Sequence, residues 1–403
     1  MWPTSAGNFG ELVGFSPRVS SSRPTDADDA PRRELDKARI VDRRGGEDRR
    51  LSTALRHSAK EALARWVVRK RSPEQRWTRA SDEACHEWTG TRHYAEDFTV
   101  VVVQPGLAVL ARIEWLPGRA SRRVWLTVLR DQVALTLPGG ELLVPAESSG
   151  HWRAAGLELD CVAPYKEWRV RFTGRLVGAR GESVTCRLDL TFLGAGAPYI
   201  PGTDDDPSLV ARHLGSADWD LGFLRRIRRR RIRGYCQPGE AIGTIALDDQ
   251  INAIAGASLR HHSWGERDWG AADDGYQGFF SLPGKDRLWV HHARFPWVVL
   301  EGGFVAERGA LQPIAGIGVT RERQPGAAPR RIGLSVAVAG GERSLDAELR
   351  ATTSLDLDGR GSLRFSLCEV AGGGWGLWIE QRRIDRRPRA LSEQPPRRGI
   401  SGP

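Results

Sequence analysis

The chain has 403 residues, of which 40% are hydrophobic and 27% are charged, and its formal net charge is +10. This composition excludes a wholly disordered or fibrous chain and is typical of a soluble globular protein of two or three domains. Apolar runs such as 100–103 and 336–339 are far shorter than the roughly 18 residues of a membrane-spanning helix, and no secretory signal follows Met1, so we expect no transmembrane segment.

The basic residues are unevenly distributed along the chain. Residues 1–80 carry a net charge of +7, the run Arg225–Arg233 adds +7 and residues 381–403 add +5, so the remainder of the chain carries −9. No nucleic-acid-binding motif accompanies the Arg run, and we therefore do not expect nucleic acid as a partner. The run fits a solvated linker helix, or a contact with an anionic membrane surface or another phosphate-bearing ligand.

The first 80 residues are expected to lie outside the main fold. Residues 1–50 are rich in Ser, Pro, Gly, Asp and Arg and lack apolar periodicity, which predicts a disordered tail. Residues 51–80 are predicted to form an amphipathic helix and a linker, because apolar residues recur at helical spacing. These residues are Leu51, Leu55, Ala59, Leu63 and Trp66.

The rest of the chain has the pattern of a mainly β protein. Short β-branched or alternating segments are separated by Gly- and Pro-containing turns, which predicts antiparallel strands. The first set, in a domain over 81–210, comprises 97–104, 107–115, 122–130, 131–137, 157–164, 167–176 and 182–193. The second set, in a domain over 234–385, comprises 240–247, 256–264, 276–282, 287–295, 297–305, 311–319, 332–340, 343–352, 362–370 and 374–383.

The two sets of strands are connected by a segment of different character. Residues 195–206 read as a linker or long loop, and a linker helix is expected over 211–233, carrying the Arg run. Residues 386–403 are polar and basic and are expected to form a second disordered tail. The fold predicted is therefore two tandem antiparallel β-barrel or sandwich domains with a disordered N-terminal extension.

The five cysteines are odd in number and widely spaced, and they form no C-x-x-C motif. This argues against a disulfide framework and fits a reducing compartment, so a cytoplasmic location is expected.

The densest group of chemically active residues is 260–270, with the sequence RHHSWGERDWG. On a strand, Arg260, His262 and Trp264 share one face, while His261 and Ser263 share the other. A second segment places Trp289 and His291 together on one face in the same way. If both strands line one cavity, it is apolar and rich in aromatic rings, with Asp268, Asp273 or Asp274 as the stronger acids. The alternative is that these are core histidines with satisfied hydrogen bonds and structural tryptophans.

The motif over 260–269, RHHSWGERDW, resembles the R-D-H-S-W-G-x-R-x-W signature of the double-lipocalin proteins grouped around carotenoid 1,2-hydratase (hydroxyneurosporene synthase). Fungal Diels–Alderases of similar two-barrel build and many bacterial proteins lie near this group. Two further segments agree with the resemblance, GYCQPG over 234–239 and WRVRFTG over 168–174. It covers roughly residues 82–382.

The resemblance implies two lipocalin-like β-domains with a hydrophobic ligand cavity near their junction. It also implies that His262 and Trp264 take part in catalysis. Two departures from the family pattern are visible: His261 replaces the signature Asp, and Trp289-x-His291 stands where the hydratase has Tyr-x-Asp.

We therefore predict a protein that binds a hydrophobic isoprenoid, steroid or polyketide-like molecule and hydrates, cyclises or isomerises it by acid and aromatic assistance. The predicted catalytic residues are His262, Trp264, Asp268 and His291, and the predicted substrate-binding residues are Arg260, Trp269, Trp289 and Tyr276. The main alternative is a non-enzymatic binder of hydrophobic ligands. No cofactor is expected; the metal alternative is a site formed by His262, His291 and one carboxylate, which no H-x-H or H-x-x-x-H spacing supports.

Overall fold

The computed structural model describes residues 58–66, 79–145, 152–223, 225, 232–267, 271–322, 329–357, 359 and 361–383. Several predictions therefore lie outside the described residues: the two disordered tails, Asp268 and Trp269, and most of Arg225–Arg233. Contact of the Arg run with an anionic membrane, and a cytoplasmic location, stay predictions. Within the described part of the chain, no helix has the length and apolar character needed to cross a membrane.

Two short helices and twenty strands make up most of the described chain. Helix α1 covers 58–66 and α2 covers Pro207–Ser216. The first eleven strands are β1 Tyr94–Gln104, β2 Leu107–Leu116, β3 Ser121–Arg130, β4 Val133–Thr136, β5 Leu142–Pro145, β6 Trp152–Ala154, β7 Leu157–Ala163, β8 Glu167–Gly178, β9 Ser183–Gly194, β10 Arg233–Leu247 and β11 Gln250–Glu266. The others are β12 Asp274–Ser281, β13 Arg287–Phe295, β14 Val298–Glu307, β15 Ala310–Pro313, β16 Gly316–Glu322, β17 Arg331–Val338, β18 Gly341–Asp356, β19 Gly361–Val370 and β20 Gly374–Arg383.

Eight of the first eleven strands close into a barrel. They follow the order β4-β3-β2-β1-β11-β10-β9-β8, and pairing of β4 with β8 completes the ring. An eight-stranded barrel is just wide enough for side chains to fill its interior. The interior is accordingly packed with buried apolar side chains, among them Phe98, Trp152, Trp168 and Phe192.

β5, β6 and β7 extend the barrel sheet, since β5 pairs with β3 and β7 pairs with β8 and β6. The nine strands from β12 to β20 form a half-barrel sheet in the order β15-β14-β13-β12-β20-β19-β18-β17-β16. One face of this sheet packs on the outside of the barrel, where Trp125 and Leu259 meet Phe279, Trp289 and Phe365 in one apolar core. The predicted mainly β, lipocalin-like architecture is thus confirmed.

The division between the two sheets falls between β11 and β12. β10 and β11 follow residue 232 in the chain, yet they pair with β9 and β1 and so complete the barrel. The change of sheet therefore occurs at 267–273 rather than at residue 233, where the sequence pattern places it. The division of the chain into separate domains stays a prediction.

The helices dock together on one end of the half-barrel sheet. Helix α2 begins at Pro207 because the Asp206 side chain caps it, accepting hydrogen bonds from the amides of Ser208 and Leu209, each at 2.9 Å. Of the residues in the predicted amphipathic pattern of α1, Leu63 and Trp66 are each 48% exposed, and Ala64 is the buried residue of the helix. The two helices pack closely on this side of α1, since Gly215 of α2 lies against the backbone of Glu61.

Candidate functional site

The alternation along β11 divides its polar residues between two environments. Arg260, His262 and Trp264 point into the barrel, and Tyr235 of β10 and Phe98 of β1 lie directly opposite His262. The intervening His261 and Ser263 point away from the barrel interior, toward the half-barrel sheet. The two faces predicted from the sequence are therefore both polar. One polar group lies on each side of the same sheet.

Inside the barrel, the carboxylate of Glu83 is the common acceptor of a buried polar group. Glu83 ends the 3-10 helix Ala80–Glu83, is 4% exposed and accepts hydrogen bonds from the Trp168 indole and the Arg260 guanidinium, both at 2.6 Å. It also accepts one from the Tyr235 hydroxyl. Burial opposes its ionisation, but Arg260 and these hydrogen bonds hold the pKa of Glu83 below its usual value. Arg260 in turn donates to Gln237 at 2.8 Å.

Next to this group, Glu96 of β1 joins two imidazoles. Its Oε1 lies 2.9 Å from His262 Nε2 and 2.9 Å from His86 Nδ1. Glu96 and His262 are fully buried, whereas the side chain of His86 is 22% exposed. Burial raises the pKa of Glu96, but hydrogen bonds from His262 and His86 outweigh this and lower it overall. The three side chains, which we call the Glu96 triad, connect the barrel interior to the surface.

Aromatic rings fix both imidazoles of the Glu96 triad. The His86 ring stacks on Trp264 with 3.7 Å between ring centroids, and the His262 ring stacks on Phe98 at 3.8 Å. Trp264 belongs to an apolar cluster at this end of the barrel that also contains Tyr94, Ile200 and Tyr235, with Trp115 and Tyr165 half-buried at its edge. The Glu96 triad is therefore packed against aromatic rings.

His262 contacts a different polar group through each ring nitrogen. A carboxylate only accepts hydrogen bonds, so the single proton of the Tyr235 hydroxyl is used on Glu83. The Tyr235 oxygen is then left as an acceptor at its 3.3 Å contact with His262 Nδ1. His262 Nε2 faces the Glu96 carboxylate at the shorter distance of 2.9 Å. A contact this short between an imidazole nitrogen and a carboxylate holds either a proton on the nitrogen or a metal ion between the two groups.

On the opposite face of β1 and β11, a second group consists of fully paired charges. Glu114 Oε1 accepts from Arg112 at 2.9 Å and from Arg267 at 2.7 Å, and Arg267 also donates to Asp97 at 2.7 Å. All four side chains are buried. Burial raises the pKa of Glu114, but the three neighbouring guanidinium groups, those of Arg112, Arg267 and Arg123, lower it to about 2. These ion pairs connect β2 to β1 and to Arg267 directly after β11, which supports a structural role in joining barrel strands.

The junction between the barrel and the half-barrel sheet holds the other predicted histidine. His291 is fully buried beside Trp289, at 4.9 Å between ring centroids, and burial lowers its pKa to about 3. A crevice of about 20 Å³ nearby is lined by residues that include Thr99, His261 and Gln277. That volume accommodates about one water molecule. A larger groove of about 670 Å³ lies elsewhere, on β16–β19, and its lining includes Glu322, Asp346, Glu348 and Arg350.

The structure brings together only some of the predicted site residues. Arg260, His262 and Trp264 converge inside the barrel, whereas Trp289 and His291 lie on the junction side of the sheet formed by β11 and its neighbours. The expectation that both segments line one cavity is therefore not met. Tyr276 lies on the far face of the half-barrel sheet, stacked on His292 and Trp378, each at 4.8 Å.

The predicted acids also differ from those that the structure places at the site. Asp273 and Asp274 are partly exposed and pair with Arg383 and Arg294. The carboxylates that reach the barrel site are Glu83 and Glu96, which sequence reasoning missed, as it did His86 and Tyr235. Glu96 carries a weak signal, since it lies within a strand that continues into the apolar run 100–103, and an acidic residue buried with such a strand needs a partner.

Comparisons with known proteins place the chain in a family and confirm its fold. Residues 79–381 match a family described as a domain of unknown function (DUF7064). No curated protein matches the chain significantly. The chain is similar to the solved structure of a candidate AttH protein from Nitrosomonas europaea, with a TM-score of 0.52 and 9% identity over 78% of this chain and 99% of that one.

Two further solved structures are similar at lower TM-scores. One is CghA with Sch210972, with a TM-score of 0.44 and 13% identity over 73% of this chain and 90% of that one. The other is kievitone hydratase from Nectria haematococca, with a TM-score of 0.44 and 9% identity over 72% of this chain and 88% of that one. At these identities the likeness concerns the fold, and the function is argued from the site.

Proposed function

The chain belongs to the family described as a domain of unknown function (DUF7064), and we propose that it is an enzyme that adds water to, cyclises or isomerises a hydrophobic small molecule at the Glu96 triad. The observation that carries this proposal is the contact of one buried carboxylate with two imidazoles, one fully buried and one partly exposed. Histidine and carboxylate side chains are the usual groups for exchanging protons with a substrate.

The surroundings of the triad support a hydrophobic substrate. The apolar cluster around Trp264 offers ring faces and aliphatic surface, and Trp115 and Tyr165 at its edge are half-buried. An isoprenoid, steroid or polyketide-like molecule would contact His86 and Trp264 at this end of the barrel. An aromatic face stabilises a positive charge that develops on a bound substrate.

The sequence resemblance supports the same two residues. In the double-lipocalin proteins around carotenoid 1,2-hydratase, the His and Trp of the signature are implicated in catalysis, and they correspond to His262 and Trp264. The geometry adds to these Glu96 and His86, which complete the polar group, and Tyr235, which orients His262 through Nδ1. Direct participation of His291 is not part of the proposal, because it lies on the opposite side of the sheet.

The test begins with the identification of a ligand that binds to the purified full-length protein. Small molecules that copurify are extracted, identified by mass spectrometry and offered, as that chemical class, to wild type and His262→Asn. We expect His262→Asn to lower the turnover rate at least about 100-fold, the lower range for loss of a positioned acid–base group. The matched control is His292→Asn, since His292 also contacts a glutamate, Glu301 at 2.7 Å, but lies in the half-barrel sheet.

The outcomes separate the proposal from its alternative. Equal turnover by wild type and His262→Asn would show that the site assignment is wrong. Saturable binding of the ligand by wild type with no conversion would instead favour a non-enzymatic carrier. Thermal melting of each variant establishes that a lost rate does not reflect unfolded protein.

A further inference from the structure

Three side chains of the types that bind metal ions, those of His86, Glu96 and His262, lie close together at one end of the barrel. One donor atom each from His86, Glu96 and His262 lies within 4.8 Å of the others. A tetrahedral ion with bonds of about 2.0–2.2 Å separates its ligand atoms by roughly 3.3 Å. The two observed contacts of 2.9 Å to Glu96 Oε1 differ from this by a few tenths of an ångström, and the two imidazole nitrogens, at most 4.8 Å apart, are the pair whose separation metal binding would adjust.

The buried imidazole is already oriented as a metal-bound imidazole would be. Its Nδ1 lies 3.3 Å from the Tyr235 hydroxyl, so Nε2 is the ring nitrogen that faces the cluster. Tyr235 is itself held by Glu83 and by Arg260, whose guanidinium lies 3.2 Å from the hydroxyl. Metal-ligating histidines characteristically donate their second ring N–H to such a supported partner.

The second imidazole provides the route of entry. His86 directs Nδ1 at Glu96, while its ring is stacked on Trp264 and its side chain is 22% exposed. The cluster is therefore nearest to solvent at His86. Three protein ligands leave coordination positions for water or a substrate oxygen, the arrangement found in catalytic metal sites.

The chain contains a second trio of the same residue types that serves as an internal comparison. His213 Nε2 contacts Glu301 Oε2 at 2.9 Å, and His292 Nδ1 contacts Glu301 Oε1 at 2.7 Å. Its imidazoles thus bind different carboxylate oxygens, whereas both imidazoles of the Glu96 triad share Oε1. Among the described residues, the Glu96 triad is the group whose donor atoms lie close enough to bind one ion.

From this geometry we propose that His86, Glu96 and His262 bind one divalent first-row transition-metal ion. Two imidazoles and one carboxylate form a donor set that suits Zn²⁺ and Fe²⁺. The ion would take the place of a proton between Glu96 Oε1 and His262 Nε2, which lie 2.9 Å apart. This inference adds a cofactor to the site of the proposed function, but it rests on the donor geometry and its test does not use turnover.

The test measures metal bound to the full-length protein after removal of any affinity tag. Elemental analysis is expected to give about one Zn or Fe per chain, and its result distinguishes the two metals. After chelation, Co²⁺ is expected to bind with the visible absorption of a low-coordinate site, and Zn²⁺ to displace it. This measurement on the wild-type chain avoids variants that fail to fold.

Variants then locate the site. We expect His86→Ala and Glu96→Gln to lower Co²⁺ affinity at least about 100-fold, because each removes a ligand. Tyr235→Phe is expected to lower it about 10–100-fold, the usual effect of losing the partner that orients a ligand. His292→Ala is the matched control and should leave the affinity unchanged.

Two results would overturn the inference. Absence of stoichiometric metal together with absence of Co²⁺ binding would show that a shared proton, and not a metal ion, lies between Glu96 and His262. Equal loss of affinity in His292→Ala and His86→Ala would place the ion elsewhere. Metal binding without turnover would contradict the proposed function alone, and failure to bind either metal or Co²⁺ by a protein that retains turnover would contradict the metal site alone.

Discussion

Replacing Glu83 by Gln is expected to lower the free energy of unfolding by about 3–5 kcal/mol, the cost of removing one partner from a buried ion pair. Arg260 is fully buried and forms its ion pair with Glu83 at 2.6 Å. Without the carboxylate, the guanidinium remains in the barrel interior with uncompensated charge. The Tyr235 hydroxyl and the Trp168 indole keep only a neutral amide as their partner.

The matched control for Glu83→Gln is Glu87→Gln in the same segment. Glu87 is exposed, so its replacement should change the free energy of unfolding by no more than about 0.5 kcal/mol. Urea unfolding followed by tryptophan fluorescence measures both variants. If Glu83→Gln unfolds at the same urea concentration as Glu87→Gln, the role assigned to the buried pair is wrong.

Replacing Glu114 by Gln is expected to cost a similar amount, about 3–5 kcal/mol at neutral pH. Glu114 lies between the guanidinium groups of Arg112, Arg267 and Arg123 at 2.9, 2.7 and 3.5 Å. Its loss leaves three buried cations beside a single fully buried carboxylate, that of Asp97. Asp189→Asn is the control, since Asp189 forms a 2.8 Å pair with Arg169 at the surface and such exposed pairs contribute at most about 1 kcal/mol.

The Glu114 effect has a defined dependence on pH. The pKa of Glu114 is lowered to about 2 in the folded chain, whereas an unfolded Glu has a pKa of about 4.3. Stability from this group is therefore fully present above pH 4.3 and is lost as the pH falls toward 2. The difference in unfolding free energy between wild type and Glu114→Gln should shrink over that interval. A difference that stays constant would contradict the assigned charge.

Local patterns in the sequence predicted the strands well because the period of two in side-chain direction is a local property. The alternation in 256–264 also predicted which residues of β11 share a face, and the barrel interior indeed receives Arg260, His262 and Trp264. The segment predicted over 311–319 is instead two strands, β15 and β16. β15 ends at Pro313, whose ring nitrogen has no hydrogen to donate to a neighbouring strand.

Strand order could not be obtained in this way. The sequence pattern assigns β10 and β11 to the second set of strands, but the barrel needs them to complete its ring between β9 and β1. Closure of a barrel depends on the number and tilt of all its strands, which no single segment encodes. For the same reason, the sequence could not show that His262 points into the barrel while His291 lies on the other side of the sheet.

The residues of the candidate site also divide into those that the sequence identified and those that only the fold brings in. The motif at 260–264 by itself identified Arg260, His262 and Trp264, since their chemistry and spacing lie within one strand. Glu83, His86 and Glu96 are 166 to 178 residues away from their partners Arg260, Trp264 and His262 in β11. Only the antiparallel pairing of β1 with β11 and the position of the 3-10 helix bring them together.

The charge distribution was determined by the sequence alone, because it is a sum over segments and needs no coordinates: the basic surplus belongs to the two ends and one Arg run, and the remainder is acidic. The tertiary structure decided which of those charges are used. It buries Glu83, Glu96, Asp97 and Glu114 against guanidinium and imidazole groups from distant strands. A buried charge is tolerated only with a partner within hydrogen-bond distance, and that distance is set by the fold.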